Sequence, residues 1–222
     1  MALTLIVTKS GLNNSMDRFA QHELSIGGRE IIISVPQNPD EVLDASVNSE
    51  EQVDPYWAVL WSAAKPTAEE LLKEDWPTGT TALELGCGAG LVGVAGLFAG
   101  LNVTFTDVVQ EAVDLAIFNA ARNGFPQATG MLLDWNAVRC RATYDLVVAS
   151  DVLYEDCNHA PLLDAVSQLL SSGGQVWVGD PGRKSADDFR RLAAERGWAV
   201  DVRRPLQNEK STFRLFVLER VS

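Results

Sequence analysis

Histidine is scarce in this chain, with only His22 and His159 among 222 residues. Two histidines so far apart exclude a multi-histidine metal site and argue against a Ser-His-Asp triad. Cysteine is scarce as well: Cys87, Cys140 and Cys157 are odd in number and form no Cys-x-x-Cys pair, which indicates neither a disulfide framework nor a zinc knuckle. That usage fits a reducing cytoplasm. Near the start the only apolar run is Leu3 to Val7, too short for a signal h-region or a membrane span, so neither export nor a membrane partner is expected. Basic residues are outnumbered, 18 against 30 acidic, and the formal net charge of −12 argues against a nucleic-acid surface built on phosphate neutralisation. A basic or lysine-bearing partner suits this charge, although solubility alone explains it as simply.

With 46% hydrophobic residues the chain can bury one full core. The expected organisation is an N-terminal extension over residues 1–54 and one α/β domain over residues 55–222. Leu24 to Ile26 and Glu30 to Ile33 flank Gly27-Gly28 and read as a β-hairpin. An acidic, aperiodic connection follows from Pro36 to Pro55, a solvated linker or, less simply, a lip that attracts a basic substrate. The spacing of Trp57, Trp61 and Ala64 predicts a helix from Pro55 to about Lys73. Its aromatics either pack in the core or cover a pocket mouth. Beyond residue 80, strands and helices alternate: helix Gly90 to Ala99, a strand ending at Asp107, helix Gln110 to Asn123 capped by Gly124, and a strand over Ala128 to Leu133. The nearly continuous apolar run Tyr144 to Ser150 reads as a parallel strand buried on both faces. Helix Ala160 to Leu170, strand Gly174 to Gly179, helix Ala186 to Arg196 and strands Trp198 to Arg203 and Thr212 to Glu219 complete the chain.

The stretch Glu84-Leu85-Gly86-Cys87-Gly88-Ala89-Gly90 organises the rest. A strand stops at an acidic residue and breaks into closely spaced glycines, which lets the backbone take positive φ and approach a ligand while the next helix points its first amides at the same space. Asp107, at the end of the next strand, is placed to accept hydrogen bonds from both ribose hydroxyls. On these residues alone NAD and S-adenosylmethionine both remain open. Cys87 suits a position that needs a small side chain better than it suits a nucleophile. His159 is expected in solvent near a helix start, and Asp180 in a turn. Asp134-Trp135 and Asp151-Val152-Leu153-Tyr154 follow strand ends, where open α/β sheets bind ligands.

The glycine string, with Trp61, Leu133-Asp134-Trp135 and Ala149-Ser150-Asp151-Val152-Leu153-Tyr154, resembles methyltransferase family 16, the seven-β-strand protein lysine methyltransferases, over roughly Tyr56 to Glu219. Pro55-Tyr56-Trp57-Ala58 and Gly179-Asp180-Pro181-Gly182-Arg183 are most similar to the branch that includes the electron transfer flavoprotein β-subunit lysine methyltransferases, which also takes in nicotinamide N-methylase-like chains. The resemblance implies a doubly wound Rossmann-like sheet of seven strands with strand seven antiparallel. It implies S-adenosylmethionine as cofactor, held by Trp61, Glu84, Gly86, Cys87, Gly88, Asp107, Trp135 and Ala149. It also implies Asp151 and Tyr154 as the catalytic pair, and a lysine-bearing protein, such as the electron transfer flavoprotein β subunit, as substrate. Lys65 departs from the uncharged residue expected there and puts the shape of the substrate entrance in question.

Methyl transfer from a sulfonium asks mainly for alignment and desolvation. Asp151 is a poor base, since a carboxylate near pKa ~4 faces a lysine near ~10, and it favours the charged amine. The expectation is therefore that Asp151 anchors the nitrogen and stabilises its developing charge, while burial lowers the amine pKa and the proton leaves to water. Tyr154, Tyr56 and Trp57 would line the lysine stem. The competing readings are a small-molecule amine methyltransferase, an NAD-binding oxidoreductase and a non-catalytic scaffold.

Overall fold

Along the strand Thr81–Leu85 successive side chains alternate between two apolar layers, and that alternation sets the architecture. Ala82 belongs to one buried cluster and Leu83 and Leu85 to the other. The computed structural model describes residues 18–38, 55–204 and 211–221. Its strands are β1 (Phe19–Ile26), β2 (Arg29–Pro36), β3 (Thr81–Leu85), β4 (Asn102–Asp107), β5 (Thr129–Leu132), β6 (Tyr144–Ser150), β7 (Leu170–Asp180), β8 (Trp198–Arg203) and β9 (Arg214–Arg220). Its helices are α1 (Ala64–Lys73), α2 (Leu91–Phe98), α3 (Gln110–Arg122), α4 (His159–Leu169) and α5 (Ser185–Glu195). Strands β3 to β9 form one seven-stranded sheet in the order β5-β4-β3-β6-β7-β9-β8. Strand β9 runs antiparallel to both of its neighbours, as the resemblance implies.

Buried residues of α1, α2 and α3 share one cluster and those of α4 and α5 the other, so helices cover both faces of the sheet. Phe105 of β4 is fully buried under α2. Burying such a side chain contributes about 2 to 3 kcal/mol. The helix approaches closely because a Cβ on Gly93 would lie 2.3 Å from the Phe105 ring. Among the described residues no helix is long and apolar enough to cross a membrane.

The expected hairpin is present as β1 and β2, and Ile26, Ile31, Ile33 and Val35 bury into the core cluster shared with α1, α2 and α3. Its second edge is satisfied by Asn119 of α3 and by Asn123, which caps the C-terminus of that helix. Asn119 accepts from Ser34 N–H at 2.9 Å and donates to Ser34 C=O at 2.9 Å, and Asn123 accepts from Ile32 N–H at 2.9 Å and donates to Ile32 C=O at 2.7 Å. Asparagines at i and i+4 thus replace a third strand, which removes an open edge.

Two expectations need correction. The helix predicted from Pro55 is a short 3-10 turn over Pro55–Ala58, and the α-helix begins only at Ala64. The Trp57, Trp61 and Ala64 spacing is therefore not one helix face. The chain bends because Ala63 N–H donates to Asp151 and because Trp57 packs its carbonyl against the glycine turn. His159 is 2% exposed with its ring against Phe189, not in solvent. The acidic connection lies mostly outside the described residues.

Candidate active site

Strands β3, β4 and β6 all point their carboxyl ends to one side, where the strand order reverses around β3. There the chain leaves a cavity of about 300 Å³, at the small end of ligand pockets. The glycine turn forms its floor. Gly86, Gly88 and Gly90 have φ of 63°, 48° and 78°, which residues with a Cβ rarely adopt. A Cβ on Gly88 would also sit 3.3 Å from the Trp57 carbonyl oxygen.

Two buried carboxylates hold this turn from below. Glu84, 2% exposed, accepts from Gly93 N–H at 2.9 Å and so satisfies a first-turn donor of α2 that no side-chain cap reaches. Burial pushes its pKa up to about 8, helped by the neighbouring Asp107. Asp107 accepts from Gly88 N–H at 3.0 Å and from Val109 N–H at 3.1 Å, which ties the ends of β3 and β4 together. Burial raises its pKa, and these amides pull it back down. Each carboxylate oxygen can accept twice, so Asp107 keeps capacity for ligand hydroxyls. Cys87 lines the cavity but is buried, and burial with the Asp107 and Glu84 charges raises its thiol well above the ordinary range. Such a thiol is not a nucleophile.

The opposite wall comes from β6. Directly after the strand, Asp151 takes φ 61°, the one positive value among non-glycine residues described, at a cost of about 1 to 2 kcal/mol. The conformation is held on three sides. Its N–H donates to Gly179 C=O at 2.9 Å, its Oδ2 accepts from Ala63 N–H at 2.7 Å, and its Oδ1 pairs with Arg183 Nη2 at 2.9 Å. The carboxylate therefore sits at the start of α1, where the helix dipole favours negative charge. Burial raises the Asp151 pKa, opposed by the Ala63 amide and by Arg183.

At the mouth stand Tyr56, Trp61 and Tyr154, 45%, 39% and 41% exposed. Tyr56 meets the Trp61 ring edge-on at 5.9 Å and the Tyr154 ring at 5.4 Å. Trp61 is fixed by its indole N–H, which donates to Tyr56 C=O at 2.7 Å. Trp135 lines the far side, in a 3-10 turn that Asp134 caps through Asn136 N–H.

The fold thus gathers Trp61, Glu84, Gly86, Cys87, Gly88, Asp107, Trp135, Asp151 and Tyr154 around one cavity. Ala149 does not join them. Its methyl is buried among the apolar residues of the sheet, in register with Leu85 and Val178, and Ser150 takes the place on the wall. Lys65 is exposed and does not line the cavity, so the entrance keeps its aromatic rim. Sequence reasoning missed the partners of Asp151, Ala63 and Arg183, and the bond from Asn119 Nδ2 to Ala89 C=O that links the hairpin to the glycine turn. The signal for Arg183 was the Asp180-Pro181-Gly182 turn, which carries it back toward β6.

Comparison with known proteins places this geometry. The electron transfer flavoprotein beta subunit lysine methyltransferase of Rattus norvegicus is 30% identical over 140 residues, covering 59% of this chain and 52% of the relative. The ribosomal protein L11 methyltransferase of Thermotoga petrophila is 30% identical over 132 residues, 58% of this chain and 47% of that one. The chain spans about half the length of the curated relatives it matches. Among solved structures, the glycopeptide N-methyltransferase MtfA aligns with TM-score 0.62 at 14% identity, covering 73% of this chain and 92% of that one. The ribosomal protein L11 methylase of Lactobacillus delbrueckii subsp. bulgaricus aligns with TM-score 0.57 at 19% identity, over 78% and 80%. These structural likenesses establish the doubly wound α/β fold. A family model described as lysine methyltransferase matches residues 43–192, more than half of the sequence, and the chain belongs to that family.

Proposed function

We propose that this protein transfers a methyl group from S-adenosylmethionine to the side-chain amine of a lysine in another protein. The observation that carries this reading is the placement of Asp151 on the wall of the same cavity whose floor is the glycine turn and Asp107. The catalytic unit is residues 55–222, and residues 1–54 form an extension whose hairpin buttresses it.

The residues present fit such a donor. The turn leaves a hollow that a Cβ on Gly88 would begin to fill, Asp107 retains acceptor capacity for ribose hydroxyls, and Trp135 offers a flat face. Trp61, Glu84, Gly86, Cys87, Gly88, Asp107 and Trp135 are the residues assigned to holding it. When bound, S-adenosylmethionine supplies a methyl group on a sulfur already activated as a leaving group. The chain's own residues then have three tasks. The glycine turn and Asp107 fix the donor's position, which reduces the entropy cost of alignment. The apolar rim excludes water around the reacting nitrogen. Asp151 accepts a hydrogen bond from the amine and stabilises the charge that develops there, while Tyr154 and Tyr56 present ring faces to the cation.

The first acceptor to try is the electron transfer flavoprotein β subunit, named in the rat relative's description. The broader experiment incubates the enzyme with methyl-labelled S-adenosylmethionine and a lysate from cells that lack it. Label on ε-nitrogens of lysine in a protein band is the expected result; label only in the dialysable fraction would replace the protein acceptor with a small amine.

A further inference from the structure

Asp151 presents a difficulty to its own reaction. A lone carboxylate beside the acceptor amine holds it as an ammonium, and an ammonium has no lone pair to attack a methyl group. Behind Asp151, on the side away from the cavity lining, the turn after β7 brings Arg183, whose Nη2 lies 2.9 Å from Asp151 Oδ1. The guanidinium is itself held, with its Nη1 3.5 Å from Asp180 Oδ2. Asp180, fully buried, fixes the turn by accepting from Gly182 and Arg183 N–H at 2.7 and 2.8 Å, and it pairs with Arg214 Nη2 at 3.3 Å. Asp151, Arg183, Asp180 and Arg214 thus form one row of alternating charge leading away from the cavity wall.

We propose that Arg183 is a positioning residue that sets the protonation state of the acceptor: by offsetting part of the charge of Asp151 it shifts the lysine toward the neutral amine, while leaving a carboxylate lone pair to hold it. The inference rests on the reading of the acceptor as an amine. Each carboxylate oxygen has two acceptor sites, so the ion pair and the Ala63 amide leave Asp151 able to bind the nitrogen. The groups facing Asp151 are Arg183 and Asp180 from β7 and its turn, Arg214 from β9 behind them, and the Ala63 amide from the start of α1. Across the cavity stand Glu84 and Asp107, and on the rim Tyr56 and Tyr154. Asp187 of α5 pairs with Arg214 at the outer end of the row.

The test measures single-turnover labelling with methyl-tritiated S-adenosylmethionine, enzyme in excess, against the lysate of cells lacking the enzyme, as a function of pH. The readout is the pH at which the acid limb of the rate falls to half. Arg183→Gln moves that limb up by about one unit, so that labelling is about tenfold slower on the acid side and approaches the wild-type rate at high pH. Arg183→Lys restores it. Asp180→Asn keeps an acceptor oxygen for the turn amides but frees the charge of Arg183, and moves the limb in the opposite direction, to lower pH. S-adenosylhomocysteine binding is recorded for each variant as a check on the fold. A purely structural role would slow Arg183→Gln by the same factor at every pH, and that result overturns the proposal. Should Arg183→Gln lose S-adenosylhomocysteine binding, Asp180→Asn decides alone, and an unmoved or raised limb overturns it. A wild-type enzyme that labels no protein band at all refutes the lysine reading itself, a different and recognisable failure.

Discussion

Replacing Glu84 by glutamine should make the protein more stable at alkaline pH, although it removes a charge from beneath the glycine turn. Glu84 is 2% exposed, and its pKa is raised from 4.5 to about 8, first by burial and then by Asp107. The folded state therefore holds the Glu84 proton more tightly than the unfolded chain does. Its contribution to stability is complete below pH 4.5 and is lost as pH rises through about 8. Each tenfold step in proton affinity is about 1.4 kcal/mol, so the interval from 4.5 to about 8 corresponds to a loss of about 5 kcal/mol. Glutamine is nearly isosteric and keeps an oxygen for Gly93 N–H, so the variant retains the bond to α2 without the titration. Urea unfolding at pH 5.5, 7 and 8.5 measures both proteins without ligand. Wild-type stability is expected to fall steeply across the series and the Glu84→Gln slope to be much shallower, with the curves crossing so that the variant is the more stable at pH 8.5. Equal slopes would refute the argument, because the burial of Glu84 would then not be costing its charged form anything.

Further outcomes follow from packing and from the cavity. A glycine-to-alanine change inside a helix ordinarily gains about 1 kcal/mol, but Gly93→Ala would place its Cβ 2.3 Å from Phe105 and 2.5 Å from Glu84 Oε2, and thermal unfolding should show a net loss of about 2 kcal/mol. Asn119→Ala leaves Ser34 N–H and C=O and Ala89 C=O without their partners; a loss of about 3 kcal/mol in urea unfolding should accompany weaker S-adenosylhomocysteine binding, since Ala89 lies in the glycine turn. Asp107→Ala should weaken calorimetric binding of S-adenosylhomocysteine at least tenfold, whereas Asp151→Ala should abolish labelling with binding kept within a few fold. Unchanged turnover in the Asp151 variant would remove that residue from the mechanism.

Much of this was legible in the chain itself. Strand β6 has the predicted bounds Tyr144–Ser150 because a nearly continuous apolar run of that length, rich in β-branched residues, admits little else. Strand β8, Trp198–Arg203, also matches. The glycine turn announced the cavity because a tight turn with positive φ at Gly86, Gly88 and Gly90 favours glycine at that spacing. What local pattern could not reveal came from contacts distant in sequence. The break before α1 depends on Asp151, 88 residues beyond Ala63. His159 is buried because Phe189 of α5 packs on it, and no signal near residue 159 encodes that helix. Ala149 stands one residue before the strand end, where a shift of one position exchanges cavity for core. Arg183 was visible only as part of a turn, because its role depends on a carboxylate brought from a different strand.

The most direct test is a crystal structure of the protein with S-adenosylhomocysteine. The expected electron density lies along the glycine turn, with both ribose hydroxyls on Asp107 and the sulfur facing Asp151 and the opening between Tyr56, Trp61 and Tyr154. A ligand bound elsewhere, or one whose sulfur points away from Asp151, would contradict the account.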